Sequence, residues 1–302
     1  MLHQPDLPQR WAHIKSSWKN PTFWLVLLLM FVNYFLEARK WQLLLKPLER
    51  FSLVKAFKSV MAGCSITMLT PNRIGEYGGR ILYVEEQNRL KAISLSVLGS
   101  LSQLLVTIVM GTTGLFVLTF FSDNNEVSFT FIPQVLSNTL LFTSLVLSFF
   151  LIMFYLRIGW LIHLMGKARI LEKPLKYVKL LDQFSGKQLL RILFLSLVRY
   201  MAFILQYMLL LSVMEVGIGF ILCFWLLTIF YLVMAVAPTI GFTELPLRAT
   251  ATVEIFKLYS GNILGIQAAA LGIWLINLVL PAIIGSILIL GIKITKENEE
   301  NP

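Results

Sequence analysis

Charge is scarce in this sequence and absent over long distances. Only 14% of the 302 residues are Asp, Glu, Lys or Arg, and residues 92–122, 127–156, 216–243 and 263–292 contain none of them. A helix needs about 20 apolar residues to cross a bilayer, so each of these runs is long enough to span. No stretch between them has room for a soluble domain. Cysteine and histidine are also rare, at two and three residues. Cys64 and Cys223 lie in apolar surroundings, where a free thiol packs as a small hydrophobe rather than as half of a disulfide. His3, His13 and His163 are scattered, and no HExxH, CxxC or carboxylate cluster has metal-ligand spacing, so neither a metal nor a cofactor is expected. The phosphate-cradling loop GxxxxGK[ST] is missing too, which removes the basis for ATP hydrolysis by this chain.

What is present is hydrophobic: 57% of residues are apolar and the mean hydropathy is +0.76. The sequence predicts an all-α integral membrane protein, a polytopic helix bundle of about six to eight spans with two re-entrant or broken helices. A single transmembrane domain is expected over residues 21–292, after an N-terminal segment 1–20 and before a polar tail 293–302. Pro5 and Pro8 precede the first basic residues and no small-residue cleavage site follows the apolar core. Residues 21–36 therefore read as a retained first span rather than a signal peptide. That span continues to about residue 45, with Glu37, Arg39, Lys40 and Trp41 marking its inner end and Trp41 as an interfacial anchor. Further spans are expected near 92–119, 135–156, 189–214 and 218–237, and a last run, 263–292, is expected to break at Pro281. Residues 59–72 hold no charge but cover only about 21 Å as a helix against a core of about 30 Å, which suits a re-entrant half-helix.

The formal charge of +10 reports topology rather than nucleic-acid binding, because the basic residues flank apolar runs. The loop 157–191 carries Lys167, Arg169, Lys173, Lys176, Lys179 and Lys187 and is placed in the cytoplasm. Residues 122–133, with Asp123 and Glu126, and the turn near Glu215 are placed outside. The basic stretch 39–58 then belongs to the cytoplasm and the N-terminus to the outside, despite Arg10, Lys15 and Lys19.

One short phrase occurs twice where an apolar run ends. Thr70-Pro71-Asn72-Arg73-Ile74-Gly75-Glu76 is followed by Arg80, and Ala237-Pro238-Thr239-Ile240-Gly241-Phe242-Thr243-Glu244 by Arg248. In both, the Arg stands four residues after the Glu, which puts the pair on one helical face. Ionisable residues beside helix-breaking Pro and Gly inside a membrane mark candidate functional sites. Under the loop assignments the two broken helices enter from opposite faces, as in inverted-repeat transporters; internal duplication and coincidence are both compatible with so short a match. The candidate substrate-binding residues are Arg73, Glu76, Arg80, Glu244 and Arg248, with Pro71, Gly75, Gly78, Gly79, Pro238 and Gly241 shaping the turns. Arg73 offers a planar fork to phosphate oxygens. The plainer alternatives are i,i+4 pairs at the membrane surface, worth a few tenths of a kcal/mol, and an interfacial snorkelling arginine. Gln103, Asn138, Arg199, Gln206 and Asn277 are expected to make interhelical hydrogen bonds.

These residues carry a family resemblance. Arg39 to Leu45 (RKWQLLL), Thr70 to Arg80 (TPNRIGEYGGR), and Pro238 to Glu244 with Arg248 together resemble the lysylphosphatidylglycerol synthase transmembrane-region family of flippase-like membrane proteins. The similarity extends from about Asn33 to Leu290. It implies a multi-spanning bundle with re-entrant helices, residence in the bacterial plasma membrane and movement of a lipid headgroup between leaflets. It does not imply aminoacyl transfer, which belongs to a separate soluble domain of that family. Phe242 replaces a glycine usual in the family, Pro246 is extra, and the chain begins near what would be the family's second span.

The functional expectation is a protein that binds an anionic lipid, a phospholipid or a polyprenyl-linked lipid, and assists its passage through the bilayer without nucleic-acid partners. Arg73 and Arg80 would neutralise the headgroup, while Glu76 and Glu244 hold the arginines or exchange protons. A partner enzyme of lipid or glycan synthesis fits this role. The alternatives are a membrane transferase acting on a lipid-linked sugar, with Glu76 or Glu244 as general base, and a non-catalytic partner subunit.

Overall fold

The computed structural model describes residues 7–68, 70, 74–120, 134–159, 177–237 and 244–300, and no strand occurs among them. Helix α1 (Leu7–Ser16) leads into α2 (Pro21–Leu45). Local chemistry fixes the start of α2: the Asn20 side chain accepts from Thr22 N at 2.9 Å, and Pro21 brings a preset φ to the first helical position. A helical hairpin follows, α3 (Leu53–Thr67), capped by Ser52, and α4 (Gly75–Ile81), and then the long α5 (Arg89–Phe120). After α6 (Gln134–Leu156) the order of elements repeats. Helix α7 (Gly186–Val213) opens with a Ser185–Gln188 capping box and precedes a second hairpin, α8 (Phe220–Val236) and α9 (Glu244–Phe256). Helix α10 (Ile263–Trp274) then runs through a π-helical turn, Leu275–Val279, into α11 (Leu280–Glu300).

Five of these segments are long and apolar enough to cross a membrane: 21–45, 86–120, 138–156, 186–213 and 263–291. The two hairpins supply the remaining apolar segments expected from the sequence. With 15 and 17 residues, α3 and α8 extend about 22 and 26 Å, short of the roughly 30 Å hydrocarbon thickness.

Helices α2 and α7 pack antiparallel, tied at three levels. Gln206 Nε2 donates to Val26 O at 3.0 Å, Arg199 Nε to Asn33 Oδ1 at 2.7 Å, and Lys40 Nζ to Ser196 Oγ at 3.4 Å. The bundle therefore has two opposite ends. Around the first hairpin the chain returns to where it began, since Glu49 accepts from Glu85 N at 3.3 Å and Asn88 Nδ2 at 3.1 Å and pairs with Lys55 at 3.6 Å. The second hairpin returns to the other end, where Asn262 Nδ2 donates to Met214 O at 2.9 Å and Glu215 O at 3.2 Å. Helix α1 shares that end, with His13 Nε2 at 2.9 Å from Val213 O and Nδ1 at 3.4 Å from Glu215. Helix α1 and the Glu215 turn thus lie at the same end of the bundle, as the charge pattern expects.

Each hairpin leans on the long helix of the other half: α3 packs along α11 and α8 along α5. Missing side chains permit both contacts. A Cβ on Gly285 would stand 1.9 Å from Met61 O, and a Cβ on Gly114 would stand 2.0 Å from Thr228 Oγ1.

Pro281 does not break the last helix, contrary to the sequence expectation. Its ring crowds the carbonyl four residues back and it has no N–H to donate there. The π-helical turn just before it absorbs the mismatch, and the freed Asn277 carbonyl accepts from Tyr34 Oη at 2.5 Å. On the outside of the bundle, Trp24, Leu28, Phe31 and Phe35 of α2 and Phe142, Phe149 and Phe150 of α6 are exposed. In a bundle this apolar, they form the surface that faces acyl chains.

Candidate functional site

Glu37 stands eight residues before the end of α2, about 12 Å along the helix axis from it. It is the hub of a buried ion cluster. Its Oε1 meets Arg80 Nη2 of α4 at 2.7 Å, and its Oε2 meets Lys40 Nζ at 2.8 Å and Arg199 Nη1 of α7 at 2.9 Å. Arg80 also pairs with Glu76 one turn earlier in α4. The side chains of Glu37, Lys40 and Arg80 are at most 3% exposed, whereas Arg199 keeps 14% and Glu76 24%. Among the described residues, three cations and two carboxylates leave one positive charge in excess. The charged groups acting on Glu37 are Arg199, Lys40 and Arg80, and no further carboxylate among the described residues joins them.

Neutral groups complete the shell. Lys40 Nζ donates to Gly99 O at 3.3 Å, Ser102 and Ser196 share a hydrogen bond of 2.8 Å, and Arg199 Nη1 reaches Gln103 Oε1 at 3.4 Å. Two donors remain without an acceptor, Asn33 Nδ2 and Arg80 Nε, both on buried residues.

This arrangement corrects the reading of residues 37–41 as the edge of a span. Glu37, Lys40 and Trp41 are fully internal, because cations from α4 and α7 compensate Glu37 and Glu37 in turn compensates Lys40. Trp41 is no interfacial anchor. Its Nε1 donates to Ser59 Oγ at 2.9 Å, Ser59 Oγ donates to Arg80 O at 2.7 Å, and the Arg80 guanidinium lies over the indole at 5.4 Å. The indole thereby clamps both helices of the first hairpin against α2.

A second pair occupies the other hairpin. Arg248 Nη2 meets Glu244 Oε1 at 2.5 Å, and the guanidinium lies 5.5 Å from the Phe230 ring. Thr252 Oγ1 donates to Arg248 O at 2.7 Å and shares a hydrogen bond of 2.8 Å with Tyr207 Oη. An aromatic row joins the two sites: Arg199 lies over Phe203 at 5.1 Å, Phe203 is 6.3 Å from Tyr231, and Tyr231 is 5.2 Å from Phe230. Arg80, Glu244 and Arg248 are buried, at 2%, 4% and 8% exposure, so neither pair is a surface pair.

Of the other sequence candidates, Gly75 and Gly79 lie at the α3–α4 contact, where a Cβ would come within 2.4 Å of Thr70 Oγ1 and Ala62 O respectively. Gly78 has open space around it. Pro71, Arg73, Pro238 and Gly241 lie outside the described residues. Gln103, Arg199, Gln206 and Asn277 make interhelical hydrogen bonds as expected, whereas Asn138 is exposed. Cys64 and Cys223 are free thiols, and among the described residues no group of three or more His, Cys, Asp or Glu side chains is arranged around a metal position.

The sequence reading missed the hub itself. One usable signal was Arg199, alone among the ionisable residues between Arg191 and Glu215, since an isolated charge at that depth needs a partner. The other was the i,i+3 spacing of Glu37 and Lys40, which puts both on one face of α2.

A family model described as the lysylphosphatidylglycerol synthase TM region matches residues 6–285, nearly the whole chain. The chain belongs to that family. Comparison with curated proteins and with solved structures returned no match. Membership adds a lipid context to the geometry: this member of the lysylphosphatidylglycerol synthase transmembrane-region family is a multi-pass helical membrane protein.

Proposed function

We propose that the protein binds the headgroup of an anionic lipid at the Glu37–Arg80–Arg199 cluster and assists its passage between leaflets. The observation that carries this reading is a compensated ion cluster enclosed by apolar helices. Ionised groups at helix-centre depth cost about 3 kcal/mol each on insertion scales, and an exchangeable anionic partner gives such residues a use. The hairpins support the reading, because their described helices start from opposite ends of the bundle and each carries a Glu–Arg pair. Both hairpins are re-entrant in this view. Glu37 and Glu76 hold Arg80 in place, and the aromatic row from Phe203 to Phe230 gives a headgroup an amphipathic wall between the two sites.

The positive-inside pattern places residues 45–52 and 82–89 in the cytoplasm of a bacterial cell, with the Glu215 turn outside. A phospholipid or polyprenyl-linked lipid is the substrate class, delivered or consumed by a partner enzyme of lipid or glycan synthesis.

The test is lipid movement in reconstituted vesicles containing a fluorescent phosphatidylglycerol, read by reduction of the outer-leaflet probe. Arg80→Gln should reduce movement to the protein-free rate while the protein still elutes as a folded species. Arg80→Lys should restore only part of it, because an ammonium lacks the bidentate fork and the fit over Trp41. Wild-type movement by Arg80→Gln would remove the cluster from the pathway.

A further inference from the structure

The charge balance of the cluster says more than that it binds an anion. We infer that the Glu37 cluster is built for one negative charge, so that its ligand is a phosphodiester monoanion rather than a phosphomonoester, pyrophosphate or zwitterion. This inference rests on the reading of the cluster as the substrate site.

Among the described residues, Lys40, Arg80 and Arg199 face Glu37 and Glu76, and the other lining groups, Asn33, Ser59, Ser102, Gln103 and Ser196, are neutral. One added negative charge brings the site to neutrality; two leave it negative in surroundings of low dielectric, where an unpaired charge is strongly disfavoured. A zwitterionic headgroup brings its own cation and leaves the excess in place. The donor count agrees with the charge count. Asn33 Nδ2 is fully buried without an acceptor beside the Oδ1 that receives Arg199 Nε, and Arg80 Nε is likewise unanswered. Glu37 Oε2, itself without a hydrogen bond, lies at ion-pair distance from Lys40 and Arg199, and a ligand oxygen is the acceptor that Asn33 Nδ2 and Arg80 Nε would take. Arg199 and Glu76 are the two members that retain exposure, which makes Arg199 the cation positioned to meet an entering phosphate. Glu37 does not touch that ligand in this account. It is a positioning residue that holds three cations and sets their excess.

The consequence is a preference that carboxylate removal should shift. Full-length protein in detergent would be titrated with phosphatidylglycerol (one negative charge), phosphatidic acid (up to two at pH 8) and phosphatidylcholine (zwitterionic), with binding read by native mass spectrometry. Wild type should favour phosphatidylglycerol over phosphatidic acid by about tenfold. Glu37→Gln raises the excess by one charge and should reverse that order. Glu76→Gln, at the more exposed edge, should do the same and serves if the Glu37 variant does not fold. Arg199→Gln should bind phosphatidylglycerol no better than phosphatidylcholine, while Lys257→Gln, an exposed charge change elsewhere, should leave the order as in wild type. Soluble glycerophosphoglycerol separates the sources. Its competition would assign the site to a free phosphodiester and its failure to the lipid, and both outcomes uphold a monoanion site. An unchanged order in both glutamate variants would overturn the inference, as would full phosphatidylglycerol binding by Arg199→Gln. Since no passage across a bilayer is measured, charge-selective binding without lipid movement would overturn the transport reading alone.

Discussion

Glu37 and Arg199 form a 2.9 Å ion pair at the contact of α2 and α7, the first helices of the two matching halves of the bundle. The pair links the halves directly and also ties both to the first hairpin, because Arg80 shares the same carboxylate at 2.7 Å. Any change at this point therefore acts on all three elements at once.

The first prediction is that Glu37→Gln destabilises the fold more than any other single change in the cluster. Removing one member of a buried pair costs about 3–5 kcal/mol, because its partners are left uncompensated, and Glu37 has three. Thermal unfolding in detergent should show a large fall in Tm, with a smaller fall for Glu76→Gln, whose side chain is partly exposed. Equal Tm values for both variants would mean that water already screens the hub.

The second prediction uses the reciprocal glycine contacts. Gly285→Ala puts a methyl carbon 1.9 Å from the Met61 carbonyl, so α3 and α11 must separate at a cost of about 1–3 kcal/mol. Gly114→Ala meets Thr228 Oγ1 at 2.0 Å, and Thr228→Ala in the same chain should recover part of the loss. Gly78→Ala, with open space, should be neutral or slightly stabilising through helix propensity. A Tm for Gly285→Ala matching that of Gly78→Ala would contradict the close packing of the hairpins.

Much of this architecture was legible in the residues. Apolar length located α2, α5, α6, α7 and the α10–α11 segment, and the shortness of residues 59–72 set α3 apart from these longer helices. The Glu76–Arg80 and Glu244–Arg248 pairs follow from spacing alone, since four residues is one helical turn. Glu37 and Lys40 were harder. They follow sixteen uncharged residues and flank Arg39, so composition makes them look like a span ending at the interface. Only the partners from α4 and α7 show that α2 continues with both charges inside, and long-range pairing leaves no mark on a local window. Pro281 misled for a similar reason, because the carbonyl it frees is satisfied by a tyrosine on a different helix.

The third prediction concerns how the first hairpin sits in the membrane. Single cysteines at Ser65 and Asn88, with Cys64 and Cys223 replaced by serine, should both resist an impermeant thiol reagent added outside intact cells. Asn88 should react in inside-out vesicles, because it lies beside Glu49 at the end assigned to the cytoplasm. External labelling at position 88 would require α3 and α4 to cross the bilayer together and would end the re-entrant reading.

The last prediction follows from the π-helical turn. Tyr34 Oη donates at 2.5 Å to the Asn277 carbonyl, the group that Pro281 deprives of its helical N–H partner. Tyr34→Phe should therefore destabilise the protein by about 1–2 kcal/mol, since a partly buried carbonyl loses its donor. In a Pro281→Ala background the alanine N–H is available to that carbonyl and the helix can close its own ladder, so the same Tyr34→Phe change should cost much less. A coupling of about 1 kcal/mol in this double-mutant cycle, measured by unfolding in detergent, would show that tyrosine and proline act as a unit. Strict additivity would mean that the Tyr34 hydroxyl stabilises the bundle through its other surroundings, including Cys64, and that the π-helical turn needs no donor from α2.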